Sequence, residues 1–195
     1  SVTGYLDLLN QQTTTPEERA VYAKIAYKKS RDLEALLETL FDISKLDLSL
    51  KTTEQTTVDV HQLLLQLLEE MYPLISRVNA RIDQQILSPL SVVGNGKELA
   101  RVFENLLSNA LRYGDLRQPI EVSAFRRDEK IVIQITNAGP MIQAADVPYL
   151  FDMFYTVDQV RNMPTKQTGL GLFIAKTIVE RHEGTIDLKQ AAGQI

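Results

Sequence analysis

Asn105, Asn109 and Arg112 follow one another at steps of four and three residues, with Tyr113 adjoining, inside a stretch whose apolar residues recur at helical spacing. On a helix those steps set two amide oxygens, a guanidinium and a phenol ring on one strip. Asparagine is a middling-to-poor helix former, because its short amide competes for nearby backbone groups, so two of them one turn apart need a reason. A solvated face would be reason enough if the helix stood alone. It is followed by Asn137-Ala138-Gly139-Pro140 directly after a strand pattern, by Leu150-Phe151-Asp152-Met153-Phe154-Tyr155, and by Thr168-Gly169-Leu170-Gly171-Leu172 opening an apolar helix. Glycines at a strand end and a helix start let backbone approach a ligand, and N–H groups at a helix start favour phosphate.

The elements that must position these residues are legible from pattern and punctuation. Val2, Tyr5, Leu6 and Leu9 have helical spacing, which Gln11 to Pro16 interrupts. A second helix is expected from Pro16 to about Ser44 or beyond, with Thr15 as its cap and Glu17 and Glu18 at its positive end. Leu33, Leu36, Leu40 and Ile43 form a heptad seam, which a narrow hairpin cannot cover by itself. Pairing with a second copy buries it; packing on the following domain is the alternative. Lys51 to Thr57 reads as a linker with room for one strand, placing a boundary near residue 50. Asp59 to Gln62 has capping-box spacing before a helix that Pro73 should kink or end. His61, in its first turn, is expected to be solvated. A strand is expected around Ala80 to Leu87. Asn95 and Glu98 form a second capping-box candidate for a helix reaching about Tyr113, whose face Leu99, Val102, Phe103, Leu106, Leu107, Ala110 and Leu111 should pack on a sheet. Ile120 to Phe125 and Ile131 to Thr136 alternate around the charged turn Arg126-Arg127-Asp128-Glu129, a hairpin of two strands.

Composition narrows the function classes. The 195 residues, 44% hydrophobic, can bury a core. The formal charge of -4 and the scattered Lys and Arg argue against nucleic acid as a partner. Zero cysteines exclude disulfides, thiolate zinc sites and cysteine nucleophiles. No run approaches the roughly 20 apolar residues that span a bilayer, and there is no signal-peptide pattern, so a membrane is expected only through segments outside this sequence. An apolar pattern already running at Ser1-Val2-Thr3, with no initiator Met, leads us to expect a piece of something longer. Gly96-Lys97 is followed by Glu98 and lacks a preceding glycine loop, which excludes a P-loop kinase.

In order and intervals, the four segments resemble the nucleotide-binding domain of sensor histidine kinases, the ATPase superfamily shared with Hsp90, DNA gyrase and MutL. The resemblance covers essentially the whole chain, since Thr3 to Leu9 is similar to the stretch after a phosphoacceptor-histidine box and residues 16–46 to a second dimerisation helix. Among sensor kinases it is most similar to those of Gram-positive bacteria, of the vancomycin-resistance type. The resemblance implies an α+β fold: a two-layer α/β sandwich, a mixed sheet covered by helices, preceded by an antiparallel helical hairpin. Residues 1–50 would be a partial dimerisation hairpin without the phosphoacceptor box, and 51–195 the catalytic ATP-binding domain.

It also implies ATP and Mg²⁺ as cofactors, a response regulator and a second copy of the chain as partners, and the cytoplasmic side of a membrane sensor as location. Glu104 to Ala110 matches the family's asparagine box, in which Asn109 would hold Mg²⁺ and Asn105 would lie near the phosphates and metal waters. Mg²⁺ keeps waters and takes few protein ligands, so one or two amide oxygens plus phosphates suit it. Arg112 would reach a phosphate, and Asn105, Asn109 and Arg112 together would form the catalytic set. Tyr113 would line the adenine with Asn137, Gly139, Met141 and Ile142 of the first glycine box. Phe154 and Arg161 belong to the phenylalanine box and lid, Arg161 being the candidate for the γ-phosphate; Thr168, Gly169, Leu170, Gly171 and Leu172 form the second glycine box.

Three departures bear on activity. Asn137 stands where the family usually has Asp, and an amide oxygen accepts from the adenine amino group without the charge assistance that roughly doubles such bonds; Met141 stands where a second Gly is common. Neither histidine lies in a phosphoacceptor context, and His182 matches a structural position ending the helix after the second glycine box. The chain stops at Gly193-Gln194-Ile195, where the family adds one more strand. Autophosphorylation of a histidine outside this sequence and relay to a regulator aspartate are the implied activity. A sensor acting mainly as phosphatase and a non-enzymatic nucleotide-binding or dimerisation module are the alternatives. An Hsp90-like ATPase would place a Glu base where Asn105 stands.

Overall fold

The computed structural model describes residues 1–11, 15–48, 55–157 and 169–191. Contacts divide the chain into two compact units, Ser1–Leu50 and Lys51–Ile195.

The first unit is a helical hairpin of α1 (Val2–Leu9) and α2 (Pro16–Leu48). Ser1 caps α1, its Oγ accepting the Gly4 N–H at 3.1 Å. A full capping box starts α2: the Glu18 N–H donates to Thr15 Oγ1 at 3.2 Å, and the Thr15 N–H donates to the Glu18 carboxylate at 2.9 Å. Tyr5 and Tyr22 join the two helices through tilted rings 6.0 Å apart. Among the described residues of this unit only Ala26 is buried, and Leu6, Val21, Tyr27, Leu33 and Leu37 are exposed. Of the expected seam, Leu33 is thus uncovered within the unit, while the side chains of Leu36, Leu40 and Ile43 lie outside the described residues.

The second unit is a two-layer α/β sandwich. Strand β1 (Thr56–Asp59) pairs antiparallel with β3 (Ser91–Gly94), Thr56 opposite Gly94. A separate mixed sheet has the order β2-β4-β5. Here β2 (Ile82–Ile86) runs parallel to β4 (Ile120–Arg127), with Ile82 opposite Ile120. Strand β5 (Lys130–Thr136) runs antiparallel to β4, with Glu121 opposite Thr136. Every second residue of β4's first half, Ile120, Val122 and Ala124, is buried. Helices α3 (Val60–Arg77), α4 (Gly96–Tyr113) and α5 (Gly171–Arg181) supply the other layer. The N-cap half of both expected capping boxes forms, Asp59 accepting from the Gln62 N–H at 3.2 Å and Asn95 from the Glu98 N–H at 3.0 Å, while the Asn95 N–H is taken by His182 rather than Glu98.

Several expectations are corrected. Of the two outcomes expected at Pro73, a kink or an end, the end is excluded, because α3 runs through it to Arg77. The proline sits on the exposed side while Met71 and Ile75 on either side of it stay buried. Burying a side chain the size of Ile75 contributes about 1.5–3 kcal/mol, enough to offset most of the roughly 3 kcal/mol an internal proline costs. The hairpin turn is tighter than expected, because Arg126 and Arg127 pair with Ile131 and Lys130, leaving Asp128, at φ 54, and Glu129 to reverse the chain. The buried face of α4 meets α3 and α5 as well as β5. His61 is not simply solvated: its Nδ1–H donates to the Leu87 carbonyl at 3.1 Å. No further strand is formed over 184–190, although Ile186, Leu188 and Gln190 are half-buried in alternation with exposed Thr185, Asp187 and Lys189.

Candidate nucleotide site

Three of the four segments singled out in the sequence meet in pairs along α4: the start of α5 faces Asn105 in its middle, and the end of β5 meets its C-terminal end. The asparagine strip lies beside the six buried apolar residues of α4, Leu99 through Leu111, which fix the helix's rotation. Asn105 is half-buried and faces the start of α5: a Cβ placed on Gly171 would stand 3.2 Å from its Oδ1. Its Nδ2 is buried and has no hydrogen-bond partner among the described residues. A buried amide donor without a partner is rare and costs about 1–3 kcal/mol, so this one marks a place where a polar group is missing. Asn109, one turn on, is half-buried. Arg112 is exposed and hydrogen-bonds Tyr113; burial pushes the Tyr113 phenol's pKa up, and the Arg112 charge and hydrogen bond pull it partly back.

Gly114 ends α4, because a Cβ there would lie 2.5 Å from the Ala110 carbonyl and 3.3 Å from the Asn137 side chain. That approach docks the helix end on the end of β5. The Ala138 carbonyl accepts twice, from the Asp115 N–H at 2.6 Å and from Asn137 Nδ2 at 3.0 Å. Asn137 thus spends one amide hydrogen on the neighbouring backbone and keeps its oxygen available as an acceptor. The result is a cleft of about 470 Å³ lined by Tyr113, Gly114, Asp115, Arg117, Ala138, Gly139 and Pro140. Just beyond it Met141 is 57% exposed, and Ile142 is held by Gln190.

The Phe154 and glycine segments also meet. Gly169 has φ +66, and a Cβ there would stand 2.6 Å from the Phe154 carbonyl carbon and the Tyr155 oxygen. The Phe154 N–H donates to the Gly169 carbonyl at 3.1 Å, and Phe154 itself has φ 64 with an exposed ring. Gly169 is therefore demanded by its own chain as well as by any ligand. Leu170 is fully buried, Leu172 is half-buried, and the first turn of α5 carries no side-chain cap, leaving N–H groups of the kind that receive phosphate. Arg161 and Thr168 lie outside the described residues. Among the described residues no group of three or more His, Cys, Asp or Glu side chains is arranged to hold a metal ion. The polar groups on hand suit a phosphorylated ligand carrying its own hard cation, to which an amide oxygen would be added.

Sequence reasoning missed Asp115, Arg117 and Gln190. Asp115 takes Arg117 Nε at 2.8 Å and the guanidinium's other arm at 2.6 Å, and these hydrogen bonds hold its carboxyl below the usual carboxylate range. The two are only two residues apart, a spacing that carries no signal outside a known turn. His182 proves to be a latch between helices: its Nε2 accepts the Asn95 N–H at 3.0 Å and its Nδ1–H donates to the Ile178 carbonyl at 2.8 Å. Beside it, Glu98 and Arg181 form an ion pair at 3.4 Å.

An amide-bearing helix whose end docks on a glycine-ended strand and whose Asn105 faces an uncapped, glycine-started helix has the parts of a nucleotide-binding site. Residues 94–194 match the family model of histidine kinase-, DNA gyrase B- and HSP90-like ATPases, and the chain belongs to that family. Within it, the chain is similar to sensor histidine kinases: it is 33% identical over 187 residues to the sensor protein VanS of Enterococcus faecium, covering 95% of this chain and 48% of VanS. The fold is likewise that of the histidine kinase AdeS of Acinetobacter baumannii, with a TM-score of 0.78 and 20% identity over 99% of this chain and 88% of that one. ThkA, solved in complex with the response regulator TrrA, superposes with a TM-score of 0.78 at 19% identity, over 99% of this chain and 54% of ThkA. The chain spans about half the length of VanS.

Proposed function

We propose that this chain is the catalytic ATP-binding region, with part of the dimerising hairpin, of a membrane sensor histidine kinase. The whole protein transfers the γ-phosphoryl group of ATP to a histidine outside the residues of this sequence, and the group passes on to an aspartate of a response regulator, the kind of partner with which ThkA was solved. The observation that carries the reading is Asn105 set against Gly171 with its Nδ2 buried and unpaired among the described residues, where a polar ligand between the asparagine strip and the start of α5 would satisfy it.

In this reading each residue works by position. Tyr113 and the Ala138–Gly139 backbone flank the base, and the Asn137 oxygen accepts from its amino group. Asn105 and the first-turn N–H groups of α5 face the phosphates, and Arg112 swings from Tyr113 to reach them. Asn109 offers its amide oxygen to Mg²⁺, which when bound neutralises charge building on the phosphates. Phosphoryl transfer needs chiefly such alignment and charge neutralisation. Arg161 and Thr168 join from the lid and the second glycine box. The exposed apolar residues of the hairpin, Leu6, Val21, Leu33 and Leu37 among them, are covered by a second copy. No helix among the described residues is long and apolar enough to cross a membrane, so the anchor of the sensor would lie elsewhere, with this region on its cytoplasmic side.

Calorimetric titration with a non-hydrolysable ATP analogue and Mg²⁺ tests the reading. The wild type should bind in the micromolar to sub-millimolar range, Asn109→Ala should lose Mg²⁺-dependent binding, and Asn137→Asp should tighten it about fivefold by adding charge to one hydrogen bond. A wild-type chain that binds no nucleotide would sink the proposal.

A further inference from the structure

Ile142 lies two residues past Pro140, the last cleft residue of the loop that leaves β5. Both of its backbone groups are taken by one side chain from 48 residues further along: the Ile142 N–H donates to Gln190 Oε1 at 3.0 Å, and Gln190 Nε2 donates to the Ile142 carbonyl at 2.9 Å. A carboxamide carries a donor and an acceptor side by side, as a peptide unit does, so Gln190 takes the place a partner strand would fill. The segment that delivers it forms no ladder over 184–190, and its residues Ile186, Leu188 and Gln190 are half-buried in alternation with exposed ones. The loop from Asn137 to Ile142 is consequently pinned at both ends. The Ala138 carbonyl holds the Asp115 N–H at one end, and Gln190 holds Ile142 at the other.

We infer that Gln190 is a positioning residue for the base side of the nucleotide cleft: its two-point clamp on Ile142 fixes the wall that faces Tyr113. The inference rests on the reading of the cleft as a nucleotide site. Few side chains could replace it. Glutamate keeps the acceptor for the Ile142 N–H but sets a carboxylate against the Ile142 carbonyl, asparagine is shorter by one methylene, and methionine matches the length and bulk with neither hydrogen bond.

The test titrates the full chain and its Gln190→Met, Gln190→Ala and Gln190→Glu variants with the Mg²⁺ complexes of a non-hydrolysable ATP analogue and of ADP. It also measures the urea midpoint and the hydrogen exchange of the Ile142 amide. Each variant should weaken both nucleotides by the same factor, roughly three- to tenfold in Gln190→Met and Gln190→Ala, which lose two neutral hydrogen bonds. Ile142 exchange should accelerate in Gln190→Met and Gln190→Ala, which remove the acceptor of its N–H, while Gln190→Met keeps a near wild-type midpoint. Equal factors place the effect on the part that the two ligands share, away from the γ-phosphate. Wild-type affinity in Gln190→Met, or a loss confined to the ATP analogue, would overturn the inference and leave the nucleotide site standing. A wild-type chain that binds neither nucleotide overturns both.

Discussion

Replacing Asn105 by leucine should make the protein more stable and less able to bind nucleotide. The side chain is half-buried on α4, its Nδ2 has no partner, and its oxygen sits where a Cβ on Gly171 would nearly touch it. An unpaired buried donor costs about 1–3 kcal/mol, and leucine is of similar length and carries no polar atom. Leucine is also the better helix former by roughly 0.4 kcal/mol. Against these gains stands crowding near Gly171 from methyl groups bulkier than the planar amide's oxygen and nitrogen, which overpacking data put at about 1 kcal/mol or more. The net expectation is a gain of about 1–2 kcal/mol, or roughly 3–6 °C in Tm for a unit of this size. Urea unfolding followed by circular dichroism, without nucleotide, measures it. Asn109→Leu serves as the control, because it shares the gain in helix propensity without relieving a buried orphan. Affinity for the ATP analogue should fall more than tenfold in Asn105→Leu, as expected for the loss of a charge-assisted contact to phosphate. If Asn105→Leu is no more stable than Asn109→Leu, the amide is satisfied in the protein itself, and the argument from an unpaired group to a missing ligand fails.

Two further outcomes are expected. Gly169→Ala combines a left-handed backbone, φ +66, with a Cβ 2.6 Å from the Phe154–Tyr155 backbone, and should destabilise the ATP-binding unit by about 2–4 kcal/mol in urea unfolding. The Asp115 carboxyl has a lowered folded pKa, so the stability it draws from Arg117 is present above its unfolded value of about 3.9 and is lost as pH falls through the folded value. Wild type should therefore unfold at a slightly higher temperature than Arg117→Ala at pH 7, and the difference should close below about pH 4; a difference that persists there would mean Arg117 acts by packing rather than by charge.

By itself the sequence determined what local physics controls. The apolar spacing of α4 and its cap Asn95 delimited a helix found at Gly96–Tyr113, which put Asn105, Asn109, Arg112 and Tyr113 in sequence-readable relation to one another. Alternation found the β4–β5 hairpin, and the Thr15, Asp59 and Asn95 caps were visible because a cap and its target lie three residues apart. What only the tertiary structure decided involves partners distant in the chain or competition between local and global terms. Pro73 stays inside a helix because Ile75, two residues on, is buried in a core that no local signal describes. Gly169 is required by the backbone of Phe154, and Gly171 by its approach to Asn105 across the domain. Gln190 reaches Ile142 from 48 residues away, and His182 bonds the Asn95 N–H from 87. Such contacts leave no periodicity in a sequence, because the chain between them is free in length and direction until the core closes and sets the distance.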